Sequence, residues 1–598
     1  MQTLDWIIVA GYLLITLAIG LYLARRASSG IVEFFVGGRS MPWWLAGTSM
    51  AATTFSIDTP LYVAGVVGTR GIAGNWEWWG YGITHVILIY VFARLWRRAE
   101  IVTDNEVSEL RYAGRPAAVL RGTKGFLFAV VIGSIGTGYA MLAMVKVVDA
   151  LQVFPSLGMD VGESGKLWAI IGVSAFVLLY SGVSGLWGVA ATDFFQFFLA
   201  LVGAILVAVF AVSHVGGLGE VARIAQQNTE FDVLAFTPFT FGDGGLIRWS
   251  QQAGISALTF FSYVAILWWA FRRSDGGGEF IQRLSATKNE ADAERAAWFF
   301  NLMHYVVRTW PWVLVAIVAL AVYPDLEDKQ LGYPKLMLDF LPTGLLGLVV
   351  ASLFAAFMST VSTLINWSAS YMTNDLYGRF LRPHASQKEL VAAARVASVI
   401  VTVIAGVVVF FSDSILTMYR LVLAIGTGPG LVLILRWFWW RINAWAEFSS
   451  MVSGFVIGAL LMSRLGVWEW LNFGHVLTIT AIASLAIWVP VMLLTKPEPD
   501  EKLDAFYIRV RPGGPGWKRQ RERTGLQPAQ NLKKDVLRVL AGLLFLYGAM
   551  FAVGSLLLLK WTTLIMMLAM MMIGLFWLHR LGATVIAPPR AEAPTHPS

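Results

Sequence analysis

Apolar runs of membrane-spanning length alternate with short polar segments along almost the whole chain. Each run is long enough to cross a bilayer core of about 30 Å at about 1.5 Å per residue of helix. The fifteen runs lie near residues 5–26, 42–68, 74–98, 125–151, 166–184, 187–213, 247–271, 297–322, 343–373, 390–412, 414–438, 443–464, 474–495, 537–559 and 561–580. The pattern predicts an all-α integral membrane protein with about 15 transmembrane helices.

The second run contains a polar interruption that ends at Pro60. Proline cannot donate to the helical ladder and disfavours helical backbone at the residue before it, so the helix is expected to fail around 54–60. Ala52 lies about ten residues, roughly 15 Å, from the inner end of the run, near the middle of the bilayer. Free backbone groups there need a partner, which makes the break a candidate binding site. The candidate substrate ligands at this break are Thr54, Ser56, Asp58 and Thr59.

A second interruption follows the seventh run, where three consecutive glycines span 276–278. Glycine favours non-helical backbone and lets a ligand approach closely, although a plain loop would carry the same residues. The two breaks lie in the second and seventh runs, which have opposite orientations, and paired interruptions of this kind are typical of inverted-repeat transporters. Arg272, Arg273 and Asp275 at this break either approach the binding cavity or are ordinary flanking charges. We take Arg273 and Asp275 as further candidate substrate ligands.

Composition supports the membrane assignment and excludes several classes of protein. The chain is 57% hydrophobic and only 14% charged, whereas soluble domains are about a quarter charged. Most of its Lys and Arg residues lie in alternate short loops, so the net charge of +8 reflects topology and not nucleic-acid binding. The positive-inside rule places the N-terminus outside and the C-terminus in the cytoplasm of a bacterial-type inner membrane. With no cysteine and no HExxH motif, thiolate sites and this metalloprotease signature are absent, and we expect no enzyme.

The ninth run carries a helical face of small and hydroxyl residues. Ala356, Ser359, Thr360 and Thr363 fall at i, i+3, i+4 and i+7, so they share one face of a helix. Hydroxyl and carbonyl oxygens suit a hard cation such as sodium, and a broken helix offers free carbonyls. Small residues also permit tight helix packing, which is the alternative explanation.

Five motifs follow one another within about 5–495. They are FFVGGRSMPWW, EVSELRYAGRPAAVLRG, YSGVSGLWGVAATDFFQ, FIQRLSATKNEADA and AAFMSTVSTLINWSASYMTNDLYGRF. In this order they resemble the motifs of the sodium:solute symporter family. The resemblance implies a LeuT-type bundle of five plus five inverted helices with one leading helix and extra C-terminal helices. The implied division is a leading helix (1–41), a first repeat (42–213), a second repeat (246–439), two further helices (440–495), a basic cytoplasmic loop (496–536), a transmembrane hairpin (537–581) and a disordered tail (582–598).

The same resemblance implies roles for individual residues. The sodium ligands carried over by motif are Ala52, Phe55, Ala356, Ser359 and Thr360. Asp58 matches a position beside the substrate in the sugar carriers, and Glu77 matches a sugar-binding glutamate. Asp193 matches an aspartate linked to cation passage.

Together these features predict sodium-coupled symport of a small organic solute by alternating access. A carboxylate at Asp58 and a guanidinium at Arg273 favour an amino acid, another zwitterion or an organic acid. A sugar-type or proton-coupled symporter and a transporter-like membrane sensor are the alternatives. The expected partners are the solute, the sodium ion and the lipid bilayer, with no nucleic acid and no obligatory protein partner.

Overall fold

Helices make up most of the computed structural model of the protein, which describes residues 1–24, 37–156, 158–181, 185–241 and 247–582. The first part contains a leading helix, a helix in two pieces and a series of longer spans. In chain order its helices are α1 (Thr3–Ala24), α2 (Trp43–Thr53), α3 (Asp58–Arg70), α4 (Trp76–Trp79), α5 (Tyr81–Ile87), α6 (Ala93–Ala99), α7 (Val107–Arg111), α8 (Gly114–Ala150), α9 (Val153–Ser156), α10 (Gly165–Ser181), α11 (Gly185–Val215) and α12 (Leu218–Gln227). A π-helical segment, Leu88–Phe92, joins α5 to α6.

The middle part opens with a short antiparallel strand pair, β1 (Phe239–Phe241) and β2 (Ile247–Trp249). A second helix in two pieces and several long spans follow. They are α13 (Ala257–Leu267), α14 (Glu279–Ala286), α15 (Glu290–Val322), α16 (Gly332–Phe340), α17 (Leu345–Leu381), α18 (Gln387–Phe410), α19 (Ile415–Gly426) and α20 (Gly430–Phe438). The predicted span 247–271 is therefore wrong at its start. Its helix begins only at Ala257, where the Ser256 hydroxyl caps it by accepting the Thr259 N–H at 3.3 Å.

The C-terminal part has four further spans and a folded polar segment. Its helices are α21 (Ala444–Arg464), α22 (Phe473–Leu494), α23 (Asp500–Val510), α24 (Lys518–Thr524), α25 (Leu532–Leu557) and α26 (Trp561–Leu581). The basic stretch 496–536 contains helices α23 and α24, and Arg523 ties them together through Asp500 at 2.6 Å and Asp504 at 2.8 Å. Apart from Gly582, the tail 582–598 that was predicted to be disordered lies outside the described residues.

The number of membrane spans is confirmed only in part. Among the described residues, nine helices are long and apolar enough to cross a membrane, and the bent pair α19–α20 makes a tenth. The remaining predicted spans correspond to helices that are shorter or interrupted, near 5–26, 42–68, 74–98, 166–184 and 247–271. The total of about 15 stays a prediction.

The first broken helix is α2–α3, interrupted at 54–57. The N–H of Phe55 bonds back to the Ala52 carbonyl at 2.9 Å, and the N–H of Thr59 to the Ser56 carbonyl at 3.1 Å, so the chain makes a tight turn and resumes as helix. Pro60 falls in the first turn of α3, where its missing N–H removes no helical hydrogen bond. The interruption predicted around 54–60 is confirmed, and it ends before the proline.

The second broken helix is α13–α14, and its interruption runs from residue 268 to residue 278. Gly276 and Gly278 have φ angles of 83° and 80°, a left-handed backbone that glycine adopts at little cost. The N–H of Gly278 donates to Asp104 Oδ2 at 3.0 Å, which fixes the end of the loop. The predicted glycine break is confirmed, and it begins further upstream than the glycines alone suggested.

Helix α17 lies at the centre of the molecule and faces both breaks. Nearly all of its side chains from Leu345 to Ser370 are buried, whereas in α26 the one buried residue is Gly574. The leading helix α1 anchors the start of α17, because Asp5 Oδ1 accepts the N–H groups of Gly344 at 2.7 Å and Gly347 at 2.9 Å. The central helix is thus held in place beside the ends of the broken helices.

Candidate functional site

Hydroxyl groups of α17 meet the free carbonyl end of α2 at the first break. Ser359 Oγ lies 3.1 Å from the Ala52 carbonyl oxygen and 3.1 Å from that of Ala356. Thr360 Oγ1 donates to the Thr53 carbonyl oxygen at 2.9 Å. Phe55 bonds to the same Ala52 carbonyl through its N–H. The structure therefore brings the five predicted sodium ligands together in one buried place.

This cluster fits a monovalent hard cation by its chemistry. The oxygens brought together by Ala52, Ala356, Ser359 and Thr360 are carbonyls and hydroxyls, which a hard cation accepts as ligands. The Phe55 ring covers one side, packed edge-on against Phe197 and Trp312. The alternative of simple helix packing also holds here, because the hydroxyls donate to backbone carbonyls. The sodium ligands therefore stay a prediction that the geometry fits.

Asp193 lies in a buried polar network on the other side of α2. Its Oδ2 accepts the Ser49 hydroxyl at 2.5 Å and lies 3.8 Å from the Arg283 guanidinium. Arg283 also donates to Ser49 Oγ at 3.1 Å and to Thr363 Oγ1 at 2.5 Å, and Thr363 Oγ1 is 3.1 Å from Thr53 Oγ1. This network connects α2, α11, α14 and α17. It continues directly from the oxygen cluster through Thr53.

A cavity of about 110 Å³ lies between the two breaks. The predicted substrate ligands that line it are Thr54, Ser56, Asp58, Thr59 and Arg273. Asp58 Oδ1 and Ser56 Oγ are buried without a hydrogen-bond partner among the described residues, and so is Arg273 Nε. Unpaired buried polar groups are costly, so they mark where a ligand can bind.

The walls of this cavity are aromatic, which sequence reasoning missed. Six of these rings belong to Tyr62, Trp78, Tyr81, Tyr139, Phe271 and Tyr419. They come from α3, α4, α5, α8, the second break and α19, and no local motif marks them. A second missed residue is Glu279, which lines the cavity and forms an ion pair with Arg273. Its place one residue after the glycines was a usable signal.

Two predicted substrate ligands do not reach the cavity. The Glu77 carboxylate is bound by Arg420 at 2.6 and 2.8 Å, Arg70 at 2.8 Å and the Tyr263 hydroxyl at 2.8 Å. The Asp275 carboxylate is bound by Arg436 at 2.6 Å. Neither residue is among those that line the cavity.

Asp275 has a second partner, Trp437, whose indole N–H lies 2.8 Å from its Oδ2. Both carboxylates are thus saturated by neighbours, as a buried charge requires. The structure places them as structural ion pairs beside the two breaks. For Glu77 and Asp275 the substrate-binding prediction has no support in the geometry.

A buried basic pair, which the sequence reasoning also missed, stands between the cavity and the oxygen cluster. Arg308 Nη1 donates to the Ala51 carbonyl at 2.8 Å, and its guanidinium lies 5.6 Å from the Phe55 ring and 5.2 Å from the Trp312 ring. His304 contacts Arg308 and bonds through Nδ1 to Thr54 Oγ1 at 3.2 Å. The pair braces the end of α2 from the side of α15.

Comparison with known proteins gives the fold and the family. Residues 34–454 match the sodium:solute symporter family. The sodium/glucose cotransporter of Vibrio parahaemolyticus is 25% identical over 428 residues, which is 67% of this chain and 74% of the relative. Sodium/glucose cotransporter 1 of Oryctolagus cuniculus is 26% identical over 563 residues, covering 83% of this chain and 80% of the relative.

Among solved structures, a Na⁺-coupled sialic acid symporter superposes with a TM-score of 0.63 at 20% identity, over 83% of this chain and 99% of that one. This agreement confirms the predicted all-α membrane fold of the LeuT type. The family match covers most of the 598 residues. The protein therefore belongs to the sodium:solute symporter family and is a sodium-coupled secondary transporter, not an enzyme.

Proposed function

We propose that the protein carries a small zwitterion, with an amino acid as the first candidate, into the cell together with sodium. One observation supports this substrate class above the others. A single cavity is lined by a carboxylate, Asp58, and a guanidinium, Arg273, each with one buried atom that lacks a hydrogen-bond partner among the described residues. An ammonium group pairs with the first and a carboxylate with the second.

The absence of a direct ion pair at Asp58 within the described chain favours a ligand with a cationic end. Arg273 forms an ion pair with Glu279, whereas Asp58 lines the cavity without an ion pair among the described residues. The buried Arg308 guanidinium behind the same break balances part of the Asp58 charge. The aromatic walls add to this, because ring faces attract cations. An organic acid without an ammonium group would leave Asp58 unpaired, which makes it the weaker candidate.

A sugar is the second candidate, since several relatives are sodium/glucose cotransporters. The size of the cavity argues against it. An engineered cavity of about 150 Å³ holds benzene, and a hexose has about twice as many non-hydrogen atoms. The cavity here is about 110 Å³, and Glu77, the residue that matches a sugar ligand, is engaged by arginines.

Transport follows from alternating access with the ion at the first break. Sodium bound by Ala52, Phe55, Ala356, Ser359 and Thr360 ties α2 to α17 and stabilises the form that binds substrate. The coupling is reciprocal, typically about 1–3 kcal/mol, so each ligand raises the affinity for the other by the same factor. An inside-negative potential adds about 2.3 kcal/mol per charge per 100 mV, which drives accumulation.

The deciding experiment is sodium-dependent uptake into proteoliposomes with a panel of amino acids, monocarboxylates and sugars. We expect uptake of an amino acid or another zwitterion, stimulated by sodium over potassium. A sugar as the only transported and thermally stabilising ligand contradicts the substrate class. Uptake driven by a proton gradient and indifferent to sodium contradicts the proposed coupling ion.

We also propose an inner membrane of bacterial type, with the N-terminus outside and the C-terminus in the cytoplasm, from the distribution of Lys and Arg between alternate loops. The absence of cysteine makes this easy to test. Lys518→Cys and Gln251→Cys each introduce one thiol at an exposed position in loops assigned to opposite sides. In intact cells an impermeant maleimide should label Gln251→Cys alone, and the reverse pattern refutes the orientation.

A further inference from the structure

A second, larger groove lies outside the transport pathway, where the polar segment 496–536 meets the first turn of α25. It has a volume of about 1220 Å³. The residues that define it here are Arg511, Arg521, Gln530, Lys533 and Leu537. None of them lines the cavity between the breaks.

The floor of this groove offers unpaired polar atoms. Gln530 is only 5% exposed, and both its Nε2 and its Oε1 lack a hydrogen-bond partner among the described residues. Arg511 Nε is also buried without a hydrogen-bond partner among the described residues. Leaving such groups unpaired costs free energy, and a ligand oxygen placed in the groove satisfies the two nitrogen donors.

The groove is also positively charged. Within the described part of the chain, Arg511, Arg521 and Lys533 form no ion pair, because no carboxylate oxygen lies within 4.0 Å of their charged nitrogens. By contrast, Arg523 in the same segment is paired with Asp500 and Asp504. Arg521 uses one nitrogen to bind the Gly514 carbonyl at 3.0 Å. The charges of the three cations are left for an anion, and a phosphate group with several acceptor oxygens matches such a set.

The groove continues onto an apolar surface. Val536 and Leu537 line it and are 49% and 47% exposed. They lie in the first turns of α25, a helix long and apolar enough to cross the membrane. The cations thus stand at the polar end of a membrane span with exposed hydrocarbon side chains directly below them. A free phosphate ion has no use for that apolar surface, whereas a lipid occupies both parts.

We propose that this groove binds an anionic phospholipid. Its phosphate contacts Arg511, Arg521, Lys533 and Gln530, and its acyl chains lie along Val536 and Leu537. Basic pockets at the ends of transmembrane helices bind lipid headgroups for this electrostatic reason. The bound lipid fastens the segment 496–536 to the membrane surface. The proposal does not depend on which solute is transported.

The test measures lipid binding to the purified full-length protein by native mass spectrometry. Phosphatidylglycerol, phosphatidylcholine, inorganic phosphate and the chain-free glycerophosphoglycerol headgroup are the four probes. We expect phosphatidylglycerol to bind more tightly than the other three, because only it supplies both the anion and the acyl chains. Equal binding of phosphatidylcholine overturns the proposal. Equal binding of inorganic phosphate or the free headgroup identifies a site for soluble anions and also overturns it.

Matched variants locate the site. Arg511→Gln with Lys533→Gln removes two groove charges, and we expect phosphatidylglycerol affinity to fall by roughly tenfold to thirtyfold. Lys518→Gln with Arg519→Gln removes two exposed charges of the same segment outside the groove and should leave the affinity unchanged. An equal loss in both pairs means that the effect is non-specific and overturns the assignment.

A third variant separates lipid binding from folding. Gln530→Leu removes the two unpaired atoms while keeping the size of the side chain, so it should weaken lipid binding without lowering the melting temperature of lipid-free protein. If the double variant does not fold, Gln530→Leu and the single change Lys533→Gln, at an exposed position, carry the test. Unchanged phosphatidylglycerol affinity in both overturns the proposal.

Discussion

Replacing the two hydroxyl residues of α17 tests the sodium site most directly. Ser359→Ala and Thr360→Val remove the side-chain oxygens that meet the carbonyls of Ala52 and Thr53 and preserve most of the packing. A hydrogen-bonding contact to a charged group contributes about 1.5–3 kcal/mol, so each single change should raise the sodium concentration for half-maximal transport about 10- to 100-fold. The double variant should lose sodium stimulation at all attainable concentrations.

The same hydroxyls also hold the helices together, and the assay must separate that role. Each lost hydrogen bond between neutral groups costs about 0.5–1.5 kcal/mol of stability, which lowers the melting temperature but leaves sodium affinity untouched. Ser352→Ala is the matched control, because Ser352 is buried in α17 and its hydroxyl donates to the Val349 carbonyl at 2.7 Å, away from the break. Sodium titrations of thermal stability and of uptake are measured for all variants. Unchanged sodium dependence in a folded double variant refutes the assignment.

Three further changes probe the other buried charges. Glu77→Gln leaves Arg420 buried without its counter-ion and should destabilise the protein by about 3–5 kcal/mol, seen as a lower melting temperature. Glu220→Gln, in an exposed ion pair, is the control and should change the melting temperature little. Asp58→Asn should weaken a zwitterionic substrate about 10- to 100-fold while sodium still stabilises the protein, and unaltered substrate affinity contradicts the proposed role. Asp193→Asn should slow sodium-driven uptake more than substrate binding, measured as a fall in maximal rate at constant apparent affinity. A change confined to affinity argues against a role in ion passage.

Most of the fold could be predicted from hydropathy and from the positions of helix-breaking residues. The interruption at 54–57 is local, because it follows from polar residues and Pro60 within a few positions of one another. The glycines at 276–278 are equally local, and the positive φ angles of Gly276 and Gly278 explain why glycine suits those two positions best. The hydroxyl face of α17 was also within reach, because the spacing of Ala356, Ser359, Thr360 and Thr363 places them on one side of a helix, whereas Ala52 and Phe55 came from the family resemblance.

The roles of the buried charges could not be read in the same way. A carboxylate binds substrate or supports the fold according to what lies opposite, and those partners are distant in the chain. Glu77 is neutralised by Arg420 and Asp275 by Arg436, each from the α19–α20 pair. Neither contact follows from periodicity. The ion pair between Arg273 and Glu279 is different, because the two residues are only six positions apart and the sequence alone could have suggested their contact.

The position of α2 links the candidate ion site to the network around Asp193. Ser49 and Thr53 lie one turn apart at the end of α2. The carbonyl of Thr53 accepts the Thr360 hydroxyl, and the hydroxyl of Thr53 contacts that of Thr363, one turn further along α17. A displacement of α2 away from α17 must therefore break the oxygen cluster and the Arg283 network together. A cation that binds the cluster opposes that displacement, so it would also stabilise the contacts of the Arg283 network. Loss of the cation would then weaken both sets of contacts at once, and this is the physical basis that we propose for coupling between ion and solute.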